Sequence, residues 1–207
     1  MEDPSTHWEN VYATRPSDRV SWYRPHLELS LSFIERAKPS AESVIVDVGG
    51  GASTLVDDLV DRGHTRVTVL DLSAAALDVA ARRLGPKASA VDWRVGNVLT
   101  VELPEASVDV WHDRAVFHFL TDPADRARYV EVVRRATKPG AHVLVATFGP
   151  NGPERCSGLE VARYTSDAIH GVFGAGFVKV SEATETHETP FGNAQEFVYC
   201  FCRRPTE

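Results

Sequence analysis

The sequence predicts an α/β fold in which helices cover both faces of a mostly parallel sheet. Strand-like and helix-like segments alternate from residue 43 to residue 148, an order typical of parallel sheets because each return to the sheet needs a crossover. The segment AHVLVATF at 141–148 is apolar throughout, as expected of a strand buried on both faces. The chain has 207 residues, which is the length of one domain.

The first half of the predicted core contains three strands and two helices. The strands are SVIVDV, RVTVLDL and AVDWRVGNV, at 43–48, 66–72 and 90–98. Helical patterns lie between them, at 53–63 and 73–85. The second helix begins at Ser73, a good N-cap residue, and ends on Gly85, as helices commonly do.

The second half adds a strand, a long helix, the apolar strand and a C-terminal pair of strands. The strand is SVDVWHD at 107–113, and the amphipathic helix at 122–140 is stopped by Pro139 and Gly140. A loop without regular pattern at 149–164 and a short helix at 165–177 follow the apolar strand. The last two strands, at 178–184 and 194–204, are separated by only nine residues, so we expect them to pair antiparallel.

Composition and charge exclude several classes of protein. The hydrophobic content of 43% is that of an ordinary globular domain. A net charge of −7 and the lack of any Lys/Arg run argue against nucleic-acid binding. The sequence has no membrane-spanning apolar stretch and no signal peptide at its start, and its three cysteines do not suggest a disulfide scaffold. We therefore predict a cytoplasmic enzyme or ligand-binding module.

The segment VIVDVGGGASTLVDDLV at 44–60 places a glycine turn between a strand and a helix. Such turns let a nucleotide-like ligand approach the backbone. No lysine follows the glycines, which excludes a triphosphate-binding loop, and a dinucleotide fingerprint would need a third glycine where Thr54 stands. Asp47 precedes the turn and Asp71 ends the next strand. These two acids suit a ligand with a cationic amino acid end and a ribose, whereas a pyrophosphate would be repelled by Asp47.

At these motifs the sequence resembles the class I S-adenosylmethionine-dependent methyltransferases. The resemblance covers roughly residues 40–204 and rests on five motifs in order: VIVDVGGGAS, VTVLDLS, RVGNV, VDVWHD and RRATKPGAHVLVATF. It implies a Rossmann-like seven-stranded mostly parallel sheet with an antiparallel C-terminal strand, and S-adenosylmethionine as cofactor. Ser53, Asn97 and Ala141 depart from the usual residues of the family at their positions.

The resemblance also implies the cofactor-binding residues. Asp71 accepts hydrogen bonds from both ribose hydroxyls, Asp47 orients the turn or attracts the ammonium end, and the amide oxygen of Asn97 can accept from the adenine amino group. The residues expected to bind the cofactor are Trp22, Asp47, Gly49, Gly50, Gly51, Asp71, Leu72, Ser73, Asn97, Val98 and His112. No metal site is predicted.

An aromatic N-terminal segment precedes the first predicted strand. Trp22 and Tyr23 stand between Pro16 and Pro25 without a helical pattern, so we expect them to fold over the cofactor. The chain is therefore predicted to be one methyltransferase domain, 1–207. A helical and aromatic lid segment forms residues 1–40, and the catalytic core forms residues 41–207.

Candidate catalytic residues follow the fourth predicted strand. Asp113 at the strand end and His118 on the next turn are candidates for a general base. The alternatives are that Asp113 forms a structural ion pair with Arg114 and that His118 is a core residue. Methyl transfer needs a base only if the acceptor must lose a proton.

The three cysteines allow two readings. Cys156, Cys200 and Cys202 together could bind a metalloid acceptor. The favoured alternative places Cys200 and Cys202 in the core, opposite Phe197 and its neighbours on the last strand. Cys156 lies in the irregular loop beside Arg155, so we expect a lowered pKa and the fastest reaction with a thiol probe.

The methyl acceptor is expected to be a small molecule, because an aromatic segment over the site suits a closed pocket. A protein lysine remains an alternative. A non-catalytic cofactor-binding module and a nicotinamide-dependent oxidoreductase are disfavoured, since the turn glycines and the ribose acid are present and no Tyr-x-x-x-Lys pair is recognisable.

Overall fold

The computed structural model describes residues 4–206. The helices are α1 (Pro4–Thr14), α2 (Glu28–Arg36), α3 (Leu55–Asp61), α4 (Ala74–Leu84), α5 (Pro123–Ala136) and α6 (Ser166–Phe173). The strands are β1 (Ile45–Val48), β2 (Val67–Asp71), β3 (Val91–Val95), β4 (Val108–Arg114), β5 (Thr137–Phe148), β6 (Arg155–Cys156), β7 (Leu159–Glu160), β8 (Val178–Glu188) and β9 (Ala194–Arg203). None of the helices described has the length and apolar content needed to cross a membrane.

Seven strands form one sheet in the order β3-β2-β1-β4-β5-β9-β8. Strands β1 to β5 run parallel, and β9 runs antiparallel to both of its neighbours. This confirms the predicted Rossmann-like sheet and the antiparallel pairing of the last two strands. The strand order reverses between β1 and β4, and in such sheets ligands bind beyond the carboxyl ends of the strands at that point.

Helices cover both faces of the sheet, as predicted. On one face α2, α3 and α4 pack on β1, β2 and β3 through an aliphatic cluster, which an aromatic cluster around Phe33 continues over β5 and β9. On the other face α5 and α6 pack on β1, β4, β5 and β9. The central strands are therefore buried on both sides, which explains why β5 is apolar over most of its length.

Several predicted boundaries differ from the structure, and at three places the contacts explain the difference. The long helix ends at Ala136, before Pro139 and Gly140, because these residues already belong to β5, where the Gly140 N–H donates to the Arg204 carbonyl. The loop at 149–164 contains the small hairpin of β6 and β7, whose turn residues Ser157 and Gly158 both have positive φ. Strand β8 continues to Glu188 because it pairs with β9 along its length.

Candidate active site

Two adjoining cavities lie at the carboxyl edge of the parallel strands. The larger has a volume of about 440 Å³ and the smaller about 40 Å³. The residues that line both cavities are Tyr12, Trp22, Gly49 and Arg114. The larger cavity extends past the ends of β2 and β3, and the smaller one lies against the glycine turn and α2.

The glycine turn is shaped by contacts within the protein. Gly49 has φ of +65° and Gly51 has φ of +42°, a region that side chains rarely adopt. A Cβ on Gly49 would collide with Val116, and a Cβ on Gly50 would collide with the Asp47 carboxylate. Gly49 lines both cavities and Gly50 the smaller one, whereas Gly51 lines neither. Gly51 is instead packed beneath Asp71.

A buried chain of polar side chains supports the floor of the smaller cavity. Asp47 of β1 and His112 of β4 are neighbours in the sheet register. The Asp47 Oδ1 atom lies 2.7 Å from Nδ1 of His112, whose Nε2 atom lies 2.9 Å from the Ser30 hydroxyl of α2. All three residues are buried. Asp47 and His112, both predicted from the sequence, therefore face the smaller cavity. Ser30 was not predicted, because no motif marks it.

Asp71 stands at the end of β2 on the wall of the larger cavity. Its Oδ1 atom accepts a hydrogen bond of 2.8 Å from the Ser73 N–H. Burial raises the pKa of this carboxyl to about 7. Ser73 caps α4 by accepting from the Ala76 N–H at 3.1 Å and does not line either cavity. Ser73 therefore positions Asp71, while Asp71 and Leu72 face the cavity.

The segment after β3 forms the far end of the larger cavity. Asn97, Val98 and Leu99 line it. The Asn97 Oδ1 atom accepts a hydrogen bond of 2.9 Å from the Leu99 N–H, which holds the segment in a turn. An amide oxygen has a second lone pair, so Asn97 keeps the capacity to accept from a ligand.

Four aromatic side chains cover the cavities, and we call Trp8, Tyr12, Trp22 and Phe119 the aromatic roof. The Trp8 ring lies edge-on to Trp22 at 5.6 Å and to Phe119 at 5.3 Å between centroids. The Trp22 Nε1–H donates to the Tyr12 hydroxyl at 3.3 Å. Burial raises the pKa of Tyr12 above its ordinary range, so this hydroxyl stays neutral.

Arg114 is the cationic side chain shared by the two cavities. Its Nε donates to the Tyr199 hydroxyl at 3.1 Å and its Nη1 to the Trp22 carbonyl at 3.3 Å. The guanidinium also lies over the Phe197 ring, 4.0 Å from its centroid. The side chain is 5% exposed. Successive residues of a strand point to opposite faces, so Arg114 does not form the ion pair with Asp113 considered from the sequence.

Comparisons with known proteins agree with this geometry. Residues 45–140 match the family model described as a methyltransferase domain. The fold is similar to that of a SAM-dependent methyltransferase from Methanosarcina mazei, with a TM-score of 0.69 and 19% identity over 84% of this chain and 98% of that chain. The chain is therefore an S-adenosylmethionine-dependent methyltransferase whose methyltransferase domain is matched at residues 45–140.

Two further solved structures have a similar fold. One is a structure described under the heading of the conversion of a disulfide bond into a thioacetal group during echinomycin biosynthesis. The two folds have a TM-score of 0.78, and the sequences are 17% identical over 99% of this chain and 94% of that chain. The other is the N-methyltransferase NodS from Bradyrhizobium japonicum WM9 with S-adenosylhomocysteine, with a TM-score of 0.74 and 15% identity over 98% and 100% of the two chains. No curated protein sequence matches this chain.

The cofactor of this methyltransferase is S-adenosylmethionine, and the donors and acceptors on the cavity walls fit it. The Asp71 carboxylate receives backbone hydrogen bonds from Leu72 and Ser73. A carboxylate has about four acceptor positions, so capacity for ribose hydroxyls remains. On the same cavity wall Asn97 supplies a hydrogen-bond acceptor and Val98 an apolar surface, two features that suit an adenine ring.

The two candidate catalytic residues of the methyltransferase lie outside the cavities as these are formed by residues 4–206. Asp113 points to the opposite face of the sheet, where its carboxylate accepts from the Val116 N–H at 2.9 Å, the Phe117 N–H at 3.1 Å and the Tyr129 hydroxyl at 2.6 Å. Burial raises its pKa to about 6. Its carboxylate holds the turn after β4 and does not line either cavity, which argues against the predicted catalytic role.

His118 is a core residue of the methyltransferase. Its ring packs between Phe119 and Phe148, and its Nδ1 accepts from the Phe148 N–H at 3.4 Å. Burial, with a smaller contribution from the Arg114 charge, lowers its pKa to about 3. Because the ring does not reach either cavity, the structure favours the core alternative over the catalytic prediction.

The three thiols do not converge. Cys200 and Cys202 face α6 with their sulfur atoms 3.5 Å apart, whereas Cys156 packs on the other face of the sheet. This confirms that Cys200 and Cys202 are core residues and rules out a site built from all three. Within the described part of the chain no group of His, Cys, Asp and Glu side chains is arranged to hold a metal ion.

The pKa of Cys156 is raised and not lowered, contrary to the prediction from the adjacent Arg155. Cys156 is buried at the wall of the larger cavity, and burial raises the pKa of its thiol to about 12 although Arg114 lowers it in part. Arg155, which was expected to activate it, points outward and forms an ion pair of 3.2 Å with Glu160. The loop is ordered by the β6–β7 hairpin, which the sequence pattern did not predict.

Proposed function

We propose that this methyltransferase transfers the methyl group of S-adenosylmethionine to a small molecule enclosed between the sheet and the aromatic roof. The observation that carries the proposal is the position of Tyr12 and Trp22, which line both cavities and so cover their junction. The larger cavity, about 440 Å³, is within the range of roughly 300–1,000 Å³ that small-molecule sites occupy.

Each part of the cofactor has a partner on the cavity walls. In this proposal Asp71 accepts from the ribose hydroxyls and Asn97 from the adenine amino group. The smaller cavity takes the amino acid end, because Asp47 and Arg24 both line it and supply opposite charges for its ammonium and carboxylate. His112 supports that end through its contact with Asp47.

The cofactor supplies a methyl carbon that a sulfonium leaving group already activates. The protein must therefore align the acceptor and exclude water. The aromatic roof excludes water in this proposal, and helix α1, which carries Trp8 and Tyr12, acts as a lid. The lid thus lies within the segment 1–40 predicted for it in one domain of 1–207, although residues 1–3 and 207 lie outside the described part of the chain and α2 packs on the sheet.

No side chain described at the junction of the cavities is suited to act as a base. Burial raises the pKa values of Tyr12 and Cys156, which keeps both protonated near neutral pH. Asp71 lies at the ribose position, while Asp125 and Glu160 are exposed at the rim. The acceptor must therefore present a nucleophile that needs no deprotonation in the site.

A labelled cofactor tests this function. The protein is incubated with methyl-labelled S-adenosylmethionine and either a panel of small thiols, phenols, amines and carboxylic acids or the proteins of a cell lysate. We expect the wild-type protein to transfer label to the small-molecule fraction. At low cofactor concentration the Asp71→Asn variant should transfer none. Label found only in protein would instead identify a protein acceptor. Calorimetric titration should show binding of S-adenosylmethionine and no binding of NADH.

A further inference from the structure

Residues 21–24 form part of the wall of the smaller cavity although they lie in no helix or strand. Trp22, Tyr23 and Arg24 all line that cavity. The carbonyl groups of such an irregular segment have no ladder of backbone hydrogen bonds, so they need donors from elsewhere. We call residues 21–24 the anchored segment, because side chains of other elements supply these donors.

Three carbonyl oxygens of the anchored segment each contact a side-chain donor. The contacts are His187 Nε2 to the Ser21 oxygen at 2.7 Å, Arg114 Nη1 to the Trp22 oxygen at 3.3 Å, and the Thr54 hydroxyl to the Arg24 oxygen at 3.0 Å. The donors belong to β8, to β4 and to the N-cap of α3. The anchored segment is therefore attached to both ends of the sheet order.

A fourth contact fixes the side chain of Arg24. Its guanidinium forms an ion pair with Glu185 of β8, whose Oε2 atom accepts a hydrogen bond of 2.8 Å from the Tyr199 hydroxyl. The Glu185 side chain is 12% exposed, whereas Glu28, the other carboxylate beside Arg24, is 65% exposed. A guanidinium has five N–H donors, so Glu185 restricts the orientation of Arg24 and leaves donors for a ligand.

Glu185 and His187 are unusual residues for their place on β8. This strand is at the edge of the sheet, and most of its side chains are exposed or half-buried. His187 is fully buried, and its Nδ1 atom has no hydrogen-bond partner among residues 4–206. Burial lowers its pKa, so the ring is neutral near neutral pH and Nε2 donates to Ser21. An apolar side chain would fill this space without leaving a nitrogen unpaired.

We propose that Glu185 and His187 are positioning residues for the cofactor, which hold Arg24 and the backbone around it where the amino acid end binds. The inference rests on the proposed function, which assigns that end to the smaller cavity. An arginine that is already held in place loses less side-chain freedom when a ligand binds, and such pre-organisation raises affinity.

The two ends of the cofactor should therefore depend on β8 to different extents. Asp71 and Asn97 line only the larger cavity and are held by hydrogen bonds of their own, with Ser73 and Leu99. S-adenosylhomocysteine has the amino acid end, and methylthioadenosine lacks it. Comparison of these two ligands separates the placement of Arg24 from a general loss of structure, which would weaken both.

Calorimetric titration of the full chain with each ligand tests the role of His187. His187→Phe keeps a ring and removes the donor, so it should weaken S-adenosylhomocysteine binding about tenfold and leave methylthioadenosine binding nearly unchanged. His187→Gln should restore most of the affinity, because its amide nitrogen can donate to the Ser21 carbonyl. Thr54→Val removes another anchor at similar size and should act in the same direction, which provides an independent readout if His187→Phe does not fold.

Glu185→Gln tests the ion pair. The variant keeps the shape of the side chain and removes its charge, so Arg24 can turn toward Glu28 and S-adenosylhomocysteine should bind more weakly. Tighter binding would show that Glu185 competes with the cofactor's carboxylate for Arg24, which would overturn its positioning role. Glu182→Gln is the matched control on the same strand, because its carboxylate pairs with Lys179 at 2.7 Å on the surface. It should bind both ligands as the wild type does.

The outcomes separate the inference from the proposed function. Wild-type protein that does not bind S-adenosylhomocysteine contradicts the proposed function and the inference with it. If the wild type binds S-adenosylhomocysteine and the His187→Phe and Thr54→Val variants bind it equally tightly, the inference alone is overturned. The same conclusion follows if these variants lose affinity for both ligands to the same extent.

Discussion

The hydroxyl of Ser73 donates a hydrogen bond of 2.7 Å to the carboxylate of Glu9. The same carboxylate accepts from the Ala75 N–H at 3.2 Å, so it satisfies a free donor of the first turn of α4 and lies at the positive end of that helix. Because Ser73 also donates its N–H to Asp71, this contact joins α1 to the wall of the larger cavity at Asp71.

Replacing Glu9 should loosen α1. Glu9→Ala removes these hydrogen bonds, which should lower the free energy of docking α1 by about 1–2 kcal/mol. We expect faster proteolytic cleavage within residues 4–14 and weaker binding of S-adenosylhomocysteine by calorimetry. Glu131→Ala is the matched control, because Glu131 is exposed and its carboxylate pairs with Arg134 on the same helix. Equal cleavage rates in the two variants would contradict a docking role for Glu9.

Removal of residues 1–24 should leave a folded domain with poor turnover. The truncation takes away α1 and Trp22 but spares every strand of the sheet. It also uncovers Cys156, so we expect this thiol to react with a maleimide probe much faster than in the full chain, in which all three thiols are buried. Mass spectrometry of the labelled protein identifies the cysteine. Normal methylation by the truncated protein would show that α1 is not a lid.

Cofactor affinity should depend on pH through Asp71. The pKa of this carboxyl is raised to about 7 in the free protein, and ribose hydroxyls donate to its charged form, so binding must lower the pKa. Below pH 7 binding releases a proton, and affinity should fall by up to about tenfold per pH unit. Calorimetry across this range measures the slope. Asp71→Asn should remove both the slope and about 1.5–3 kcal/mol of binding free energy for each lost hydrogen bond.

The same residue should affect stability in the opposite sense. The unfolded carboxyl has a pKa near the ordinary value of 3.8, so the free folded protein binds the proton more tightly and loses stability as pH rises from about 4 through 7. Asp71→Asn should flatten this part of the profile of melting temperature against pH. An unchanged profile would mean that Asp71 is ionised at low pH in the free protein.

Alanine at Gly49 should be more disruptive than alanine at Gly63. Both glycines have positive φ, but a Cβ on Gly63 meets no atom within 4 Å, whereas one on Gly49 collides with Val116. Gly63→Ala should therefore cost about 1–2 kcal/mol of folding free energy from its backbone alone, and Gly49→Ala should cost more and weaken cofactor binding. Urea denaturation measures both. Equal losses would show that Val116 moves aside freely.

Tyr129→Phe should reduce stability and leave catalysis intact. The Tyr129 hydroxyl donates to Asp113 and accepts from Trp111 Nε1–H at 3.0 Å. Its loss leaves buried groups unpaired, at a cost of about 1–3 kcal/mol. Because Asp113 is structural, kcat of the folded enzyme should match that of the wild type well below the melting temperature. A large fall in kcat without a change in stability would restore Asp113 as a catalytic candidate.

The sequence alone was sufficient for the fold and the cofactor turn, because both depend on local patterns. Alternation of strands and helices predicts a parallel sheet, and an acid before the glycines together with Asp71 at the next strand end marks one edge of it. These features need no knowledge of which distant residues meet.

The roles of Asp113 and Arg114 depended on tertiary structure. They are neighbours on β4, but one packs under Tyr129 and the other meets Trp22, Glu185 and Tyr199. The same holds for Cys156, since its pKa follows from burial in the aromatic cluster over β5 and β9 and not from the adjacent Arg155. Burial and charge pairing are set by residues far apart in the chain, so only the assembled fold decides them.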